Sequence, residues 1–377
     1  MPELKLEDLL AQPEEAAKRD LADAAAVDTG PDFKSAIERA SPAERKKLRK
    51  MAEILKRAVK LAHSGHGAQA AKLAMRALDM DPESALANHV MGVALDELGR
   101  LSLALDFYER ALNADPNSPD IYQSLAMTAW KLDMLPVAEK FLRIFLRMQP
   151  GNIDGTINLA GILRDQGQFD NAVELLRTTI YANPEHYDLW NALGTVLIES
   201  GDPVQAATFY QESLRINPEF ARAWNNLAYA HDLVGDSRAS IDAFDKALDA
   251  ATSRKDHAIM RHGRALSYLG AGDLERGWAE YAVRLDPDYK DATLFEISLP
   301  RWDGTDPAQL KGKTVVMVGE QGLGDEVMFM NTTRDVIDAI GPEGELRIAC
   351  EKRLLPLFRR SFPDLMIEAH ASARVEG

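Results

Sequence analysis

Residues 167–218 read GQFDNAVELLRTTIYANPEHYDLWNALGTVLIESGDPVQAATFYQESLRINP and contain one 34-residue pattern twice. In each copy, a glycine is followed seventeen residues later by a proline. The proline spacing extends far beyond this stretch, to Pro82, Pro116, Pro150, Pro184 and Pro218. A fixed period of this length is typical of stacked two-helix units, because a lone pair of short helices cannot bury its own apolar face. The pattern therefore predicts an α-solenoid in which each proline ends a second helix.

Other residues keep the same spacing. Glycines suit a left-handed turn between the two helices of a unit, with Asp133 as the exception; they are Gly65, Gly99, Gly167, Gly201, Gly235 and Gly270. Small residues five positions later allow paired helices to approach closely; they are Ala70, Ala104, Ala138, Ala172, Ala206 and Ser240. Large apolar residues are predicted to fill the space between the helices; they are Trp190, Leu193, Tyr210, Trp224, Leu227 and Phe244.

Together these positions resemble the tetratricopeptide repeat. The resemblance covers about 51–287 and implies seven units, of which the sixth lacks its proline. In this repeat family the first helices line a concave face that holds a protein or peptide partner. Asn158, Asn191, Asn225 and Asn226 fall on first helices and are candidates for that groove, in the manner of an asparagine ladder that holds peptide backbone. Val90, Ser124 and Ala192 interrupt the ladder, and ordinary polar groove residues are the alternative interpretation.

Composition narrows the classes of function. The chain has 377 residues and a formal net charge of -15, which argues against a nucleic-acid platform and against an anionic membrane surface. The single cysteine, Cys350, excludes an internal disulfide and fits a reducing compartment. The acidic opening MPELKLEDLL is unlike a signal peptide, and no run has the ~18–20 apolar residues of a membrane span. We therefore expect a cytoplasmic protein that binds neither membrane nor nucleic acid, and no metal site.

The pattern changes after Asp288. We expect an N-terminal cap or mobile segment over 1–50, the solenoid over 51–288, a linker over 289–312 and a partial α/β domain over 313–377. KTVVMV (313–318) predicts a strand buried on both faces, and a glycine turn and a helix over Glu326–Ile340 follow it. Further strands are predicted over 345–350 and 365–368, with a helix over 353–361 between them. This order is the first half of a doubly wound domain, whose first strand lacks its outer neighbour. Either the chain is a fragment or another surface covers that edge.

The segment 299–370 has a second resemblance, carried by Pro300, Trp302 and Gly304 and most specifically by EQGLGD at 320–325. It is similar to bacterial tetratricopeptide proteins fused to a glycosyltransferase-like domain, the N-terminal lobe of GT-B enzymes of the heptosyltransferase kind. The resemblance implies that Asp325 is the general base at an acceptor hydroxyl, and that Gly322, Leu323 and Gly324 form the ligand-binding turn. A helix cap is the alternative for Asp325. A nicotinamide or flavin site using Glu351 is a weaker alternative, because the spacing is not G-x-G-x-x-G.

The two resemblances lead to one functional hypothesis. The solenoid recognises a protein acceptor, with flagellin as one possibility, and presents it to the glycosyltransferase-like domain. The lobe that binds the nucleotide-sugar donor is missing from this sequence, so we expect no cofactor to be held by this chain and no catalysis by this chain alone. The rival hypothesis is a binding-only scaffold or chaperone. A second rival is an enzyme with another nucleotide ligand at the glycine turn.

Overall fold

The computed structural model describes residues 41–289, 292–293, 295–302, 304–320 and 322–370. The chain divides between Val283 and Arg284 into two compact units, which we call the helical unit and the α/β unit. Residues 1–40, most of the predicted N-terminal segment, lie outside the described residues. The domain limits drawn from the sequence stay predictions, although the first described helix runs without a break across position 50.

The described helical unit is a series of seven antiparallel helix pairs. Its first helices are α1 (Pro42–His63), α3 (Ala85–Glu97), α5 (Pro119–Lys131), α7 (Ile153–Asp165), α9 (Tyr187–Glu199), α11 (Ala221–Leu233) and α13 (Arg254–Gly270). Its second helices are α2 (Gly67–Leu78), α4 (Leu101–Ala114), α6 (Leu135–Met148), α8 (Phe169–Ala182), α10 (Pro203–Ile216), α12 (Ser237–Ala250) and α14 (Leu274–Tyr281). The predicted α-solenoid is therefore present, and each periodic proline follows the end of a second helix.

The turns within the pairs confirm the glycine prediction at five of its six positions. Gly65, Gly99, Gly167, Gly201 and Gly235 all have positive φ, and Asp133, the exception in the sequence, adopts the same conformation with φ of 58°. The residue after each of these positions closes the turn with a backbone hydrogen bond to the carbonyl five residues earlier, as from the Arg100 N–H to the Leu95 carbonyl at 2.9 Å. The prediction for Gly270 is wrong. It ends α13, and Gly272 makes the turn, because α13 has 17 residues where α11 has 13.

In the core of the helical unit, aromatic rings pack on glycines and small residues lie between the helices. The periodic small residues are fully buried, from Ala70 to Ser240. The Tyr210 ring on α10 lies against Gly194 on α9, where an added Cβ would be 2.6 Å from a ring carbon. The Tyr108 ring lies against Gly92 in the same way. Because no side chain separates ring from backbone, the two helices of a pair pack closely at these points.

First helices of successive pairs contact one another more than successive second helices do. The surface formed by α3, α5, α7, α9 and α11 is therefore the inner side of the stack, and we call it the inner face. Side chains 35 residues apart form hydrogen bonds across it, as from Trp130 Nε1 to Asp165 Oδ2 at 2.7 Å. Trp190 and Trp224 donate their indole N–H groups to the carbonyls of Pro184 and Pro218, so both serve the repeat itself.

The α/β unit contains a parallel sheet. Its elements are β1 (Thr314–Val318), α15 (Leu323–Phe329), α16 (Thr333–Ile340), β2 (Glu345–Cys350), α17 (Leu355–Ser361) and β3 (Met366–Ala369). The strand order is β1-β2-β3, with Thr314 opposite Glu345 and Ile348 opposite Ile367. Three strands and the helices between them thus follow the predicted order.

Two predictions for the α/β unit are wrong. The single helix expected over 326–340 is two helices, α15 and α16, joined by a 3₁₀ turn over Met330–Thr332. The first strand is not buried on both faces, since Thr314 is exposed and the next four residues are half-buried. Within the described residues β1 has a partner on one side only, so its side chains receive less cover than those of β2.

Candidate functional site

Three of the four predicted groove asparagines form one hydrogen-bonded cluster on the inner face. Asn226 Nδ2 donates to Asn191 Oδ1 at 3.0 Å, and Asn225 Nδ2 lies 3.4 Å from Asn226 Oδ1. Asn191 is 7% exposed, whereas Asn225 and Asn226 are half-buried. Asn158 lies on α7, one pair earlier, and is also half-buried. The role of the four asparagines in a peptide groove stays a prediction, in which Asn191 is the buried acceptor that positions Asn226.

Acidic side chains border the same surface. Asp120, Asp154 and Asp188 occupy the first turn of α5, α7 and α9 at 34-residue intervals. Burial raises the pKa of the Asp188 carboxyl, and the negative charge of Asp154 adds to this effect while Arg222 opposes it. Acidic residues at helix N-termini are favoured by the helix dipole, so the position of these three aspartates is explained without a ligand.

The glycine turn of the second resemblance lies at the carboxyl end of β1, where ligands bind in open α/β sheets. Asp325 Oδ2 accepts a hydrogen bond from the Gly322 N–H at 3.2 Å, so this carboxylate caps α15. Gly322 has an extended backbone, and a Cβ at Gly324 would meet nothing within 4 Å. Leu323 is half-buried against the core of the sheet. The turn therefore leaves open space at Gly324 while Asp325 holds its shape.

A buried carboxylate that the sequence did not suggest lies directly behind this turn. Glu326 is 8% exposed, and its Oε2 accepts from the Glu351 N–H at 2.9 Å. A Cβ at Gly319 would stand 2.3 Å from the Glu326 carboxyl carbon, so the glycine makes room for the carboxylate. His370 Nε2 is 3.4 Å from Glu326 Oε1. Glu326 therefore links residues that follow all three strands. In the sequence it is one more acid at the start of a helix, and His370 carries no signal.

Other ionisable groups near this turn, Cys350, Glu351 and Glu320, are each affected or paired by a neighbouring charge. Burial raises the pKa of the Cys350 thiol, and the negative charge of Glu326 adds to the shift. Glu351, the residue offered for a dinucleotide ribose, accepts from the Arg353 N–H at 2.6 Å and so begins a helical turn. Glu320 is paired with Arg284 at 2.8 Å. Across the described residues, no group of three or more His, Cys, Asp or Glu side chains is placed to hold a metal ion.

Models of known protein families match parts of the helical unit. Models of the tetratricopeptide repeat match residues 55–119 and 157–219, and a further model of the same repeat matches 209–242. The matched ranges of the helical unit are tetratricopeptide repeats. In the described part of the chain, no helix is both long and apolar enough to cross a membrane. The matched residues do not reach the α/β unit, whose glycosyltransferase-like interpretation stays a prediction.

Known proteins are similar to parts of the chain. Protein FlbA of Caulobacter vibrioides (strain ATCC 19089 / CIP 103742 / CB 15) is 40% identical over 152 residues, which is 40% of this chain and 25% of that protein. The crystal structure of the APC/C hetero-tetramer Cut9-Hcn1 matches with a TM-score of 0.50 and 20% identity over 60% of this chain and 45% of that chain. A tetratricopeptide repeat protein from Parabacteroides merdae ATCC 43184 matches with a TM-score of 0.50 and 15% identity, over 67% and 96% of the two chains. The two structures show the fold alone.

Proposed function

We propose that the helical unit is a protein-interaction scaffold that holds an extended segment of a protein partner on its inner face. The observation that carries this proposal is the pair of half-buried amides, Asn225 and Asn226, presented by the buried Asn191. An extended backbone offers one donor and one acceptor per residue, and a carboxamide can serve both. Fixing the amide before binding reduces the ordering cost of the complex. Asn158 extends the same surface by one repeat.

The test is capture of peptides by the purified chain. An array of peptides tiled from candidate acceptors, flagellin among them, is probed with the wild type and with the triple variant Asn158→Ala, Asn225→Ala, Asn226→Ala. The triple variant is expected to lose binding and also on the order of 1 kcal/mol of stability, because Asn226→Ala removes the donor to the buried Asn191. Asn171→Ala, at an exposed position on α8, is the matched control and should bind normally. Equal binding by the triple variant and the wild type would reject the inner face as the site.

Asn191 is tested separately because it is buried. Asn191→Ala removes the acceptor of Asn226 and is expected to cost on the order of 1 kcal/mol of stability. Binding should weaken in this variant although Asn191 itself is nearly inaccessible to a peptide. If Asn191→Ala lowers stability and leaves binding unchanged, Asn191 has no part in presenting Asn226.

We further propose that the α/β unit is glycosyltransferase-like, so that the scaffold presents a protein acceptor for O-glycosylation from a nucleotide sugar. A parallel sheet with a glycine turn at its carboxyl edge supports this, together with the resemblance at 320–325. The resemblance offers Asp325 as the candidate general base, and the open turn at Gly322, Leu323 and Gly324 as the contact to the ligand. The matched part of this chain covers a quarter of the length of protein FlbA. Without a donor lobe, the isolated chain should show no transfer of radiolabelled sugar, and robust turnover would contradict this.

Asp325→Asn separates the two roles of this side chain in a protein that also carries the donor lobe. The amide oxygen still accepts from the Gly322 N–H, so stability should change by less than ~1 kcal/mol. A lost general base lowers transfer by roughly 10²–10⁴-fold. Full transfer by a destabilised variant would leave Asp325 as a cap only. Capture without any transfer by the complete protein would favour the alternative function, a non-catalytic scaffold or chaperone.

A further inference from the structure

The carboxylate of Glu326 is unusual because it is buried at a sheet edge with only two described partners. Its side chain is 5% exposed, and a buried charge is costly unless it is paired and hydrogen-bonded. A residue needed only to cover the edge of the core would be apolar. The site is also built around it, since Gly319 has no Cβ where the carboxylate lies and the Glu351 N–H fixes Oε2. This arrangement leaves Oε1 directed to one group, the imidazole of His370.

His370 is held in place by backbone as well as by its ring. Its N–H donates to the Cys350 carbonyl at 2.9 Å, which continues the pairing of β3 with β2 by one residue. The side chain is 22% exposed, so the imidazole lies between the buried carboxylate and solvent. A carboxylate only accepts hydrogen bonds, so a hydrogen bond at this contact requires the proton on Nε2 and the lone pair on Nδ1. A histidine oriented by a carboxylate in this way is the usual arrangement of a general base.

We propose that Glu326 and His370 form an acid–base pair at the carboxyl edge of the sheet, in which His370 is the base and Glu326 is its positioning residue. The pair rests on the proposed function only for its substrate, an acceptor hydroxyl. Nδ1 takes the hydroxyl proton as the oxygen bonds to the anomeric carbon of a nucleotide sugar. The nucleoside diphosphate leaves with the electrons of the broken bond. Glu326 stabilises the imidazolium that results. His370 is thus the rival of Asp325 for the role of base, and the Asp325 carboxylate is turned to the Gly322 N–H. Full transfer by the Asp325→Asn variant would favour His370.

The first test is the ring N–H of His370 in NMR spectra of the full chain labelled with ¹⁵N-histidine, assigned by its loss in His370→Gln. The wild type is expected to show an Nε2–H signal, because a hydrogen bond to a buried carboxylate slows its exchange with water. Glu326→Ala should lose that signal. Glu326→Gln, which keeps an acceptor oxygen and the shape of the side chain, should retain it. A wild-type proton on Nδ1, or the absence of a ring N–H signal, overturns the proposal.

The second test asks whether the free nitrogen is reachable. Carbethoxylation by diethyl pyrocarbonate, followed residue by residue with mass spectrometry, is expected to modify His370 at a rate comparable with that of the exposed His66. A protected His370 would make the pair a purely structural contact and overturn the proposal. Neither test uses peptide capture or sugar transfer. Loss of the pair would therefore leave the scaffold proposal standing, and failed capture would leave the pair standing.

Discussion

The helical unit and the α/β unit hold their secondary-structure elements together in different ways. In the helical unit each contact recurs: the positive-φ turn, the buried small residue and the bond across 35 residues appear in several pairs. In the α/β unit the linking contacts occur once, and Glu326 with Gly319, Glu351 and His370 is the central example.

This difference determines how far the loss of stability from a substitution extends through each unit. In a repeat protein each pair contacts mainly its neighbours, so stability is approximately a sum of local terms. One damaged pair weakens one place in the stack. In the α/β unit three strand ends depend on a single carboxylate, so one change should affect the whole edge of the sheet.

The largest expected effect is in the repeat core. Tyr210→Ala removes a 2% exposed ring from Gly194 and should cost about 3–5 kcal/mol in the free energy of unfolding, because the cavity only partly collapses. Tyr181→Ala is the matched control, since Tyr181 is 91% exposed and should change stability by about 0.5 kcal/mol or less. Denaturant unfolding followed by circular dichroism measures both. Similar losses in the two variants would contradict the packing argument.

The next largest effect tests whether the edge of the sheet depends on the one buried carboxylate, Glu326. Gly319→Ala places a methyl group on the Glu326 carboxylate and should cost about 1–3 kcal/mol. Gly324→Ala, in the same turn, has open space at the Cβ position and should be nearly neutral. Amide exchange of β1–β3 reports the result. In a Glu326→Ala background the Gly319→Ala cost should largely disappear, and a cost that persists would show that the carboxylate is not what the glycine accommodates.

A smaller effect, a gain of stability, tests whether the turn at Asp133 is equivalent to the glycine turns. Asp133 adopts a left-handed conformation that favours glycine, so Asp133→Gly should raise stability by about 0.5–1 kcal/mol. Asp170→Gly makes the same exchange in the first turn of α8 and should lower stability by about 0.5–1 kcal/mol, because glycine has the lower helix propensity and the negative charge at the helix N-terminus is lost. The unfolding free energies of the two variants are compared. A loss in both would mean that Asp133 contributes more than its turn conformation.

The smallest expected effect is a pH dependence at the inner face. Burial lowers the pKa of His89, whose Nε2 is 2.9 Å from Ser124 Oγ, and the negative charge of Asp120 opposes the shift. Because the folded pKa is below the unfolded value of about 6.5, the unfolded chain binds the proton more readily. Stability should therefore fall as the pH falls below about 6.5. His89→Gln should reduce this fall, and an unchanged pH profile in that variant would remove His89 as a cause.

Periodicity by itself determined most of the helical unit. A glycine or proline that recurs every 34 residues specifies a turn by its own backbone geometry, so the pairs could be predicted without knowing their neighbours. Gly270 shows the limit of this reasoning. The unit around it departs from the period: α13 is 17 residues long and runs through Gly270, so the turn lies at Gly272.

Other features depend on contacts between residues that no period connects. The sequence offered four asparagines as groove candidates, but only the packing of α9 beside α11 shows that Asn191 is buried and accepts a hydrogen bond from Asn226. The sequence likewise predicted the strands and the turn of the α/β unit from local apolar runs and glycines. It gave no sign that Glu326 would meet Glu351 and His370, because only the parallel register of the sheet brings the three strand ends together. Local conformation is encoded locally, whereas a buried charge acquires its partners only when the sheet is formed.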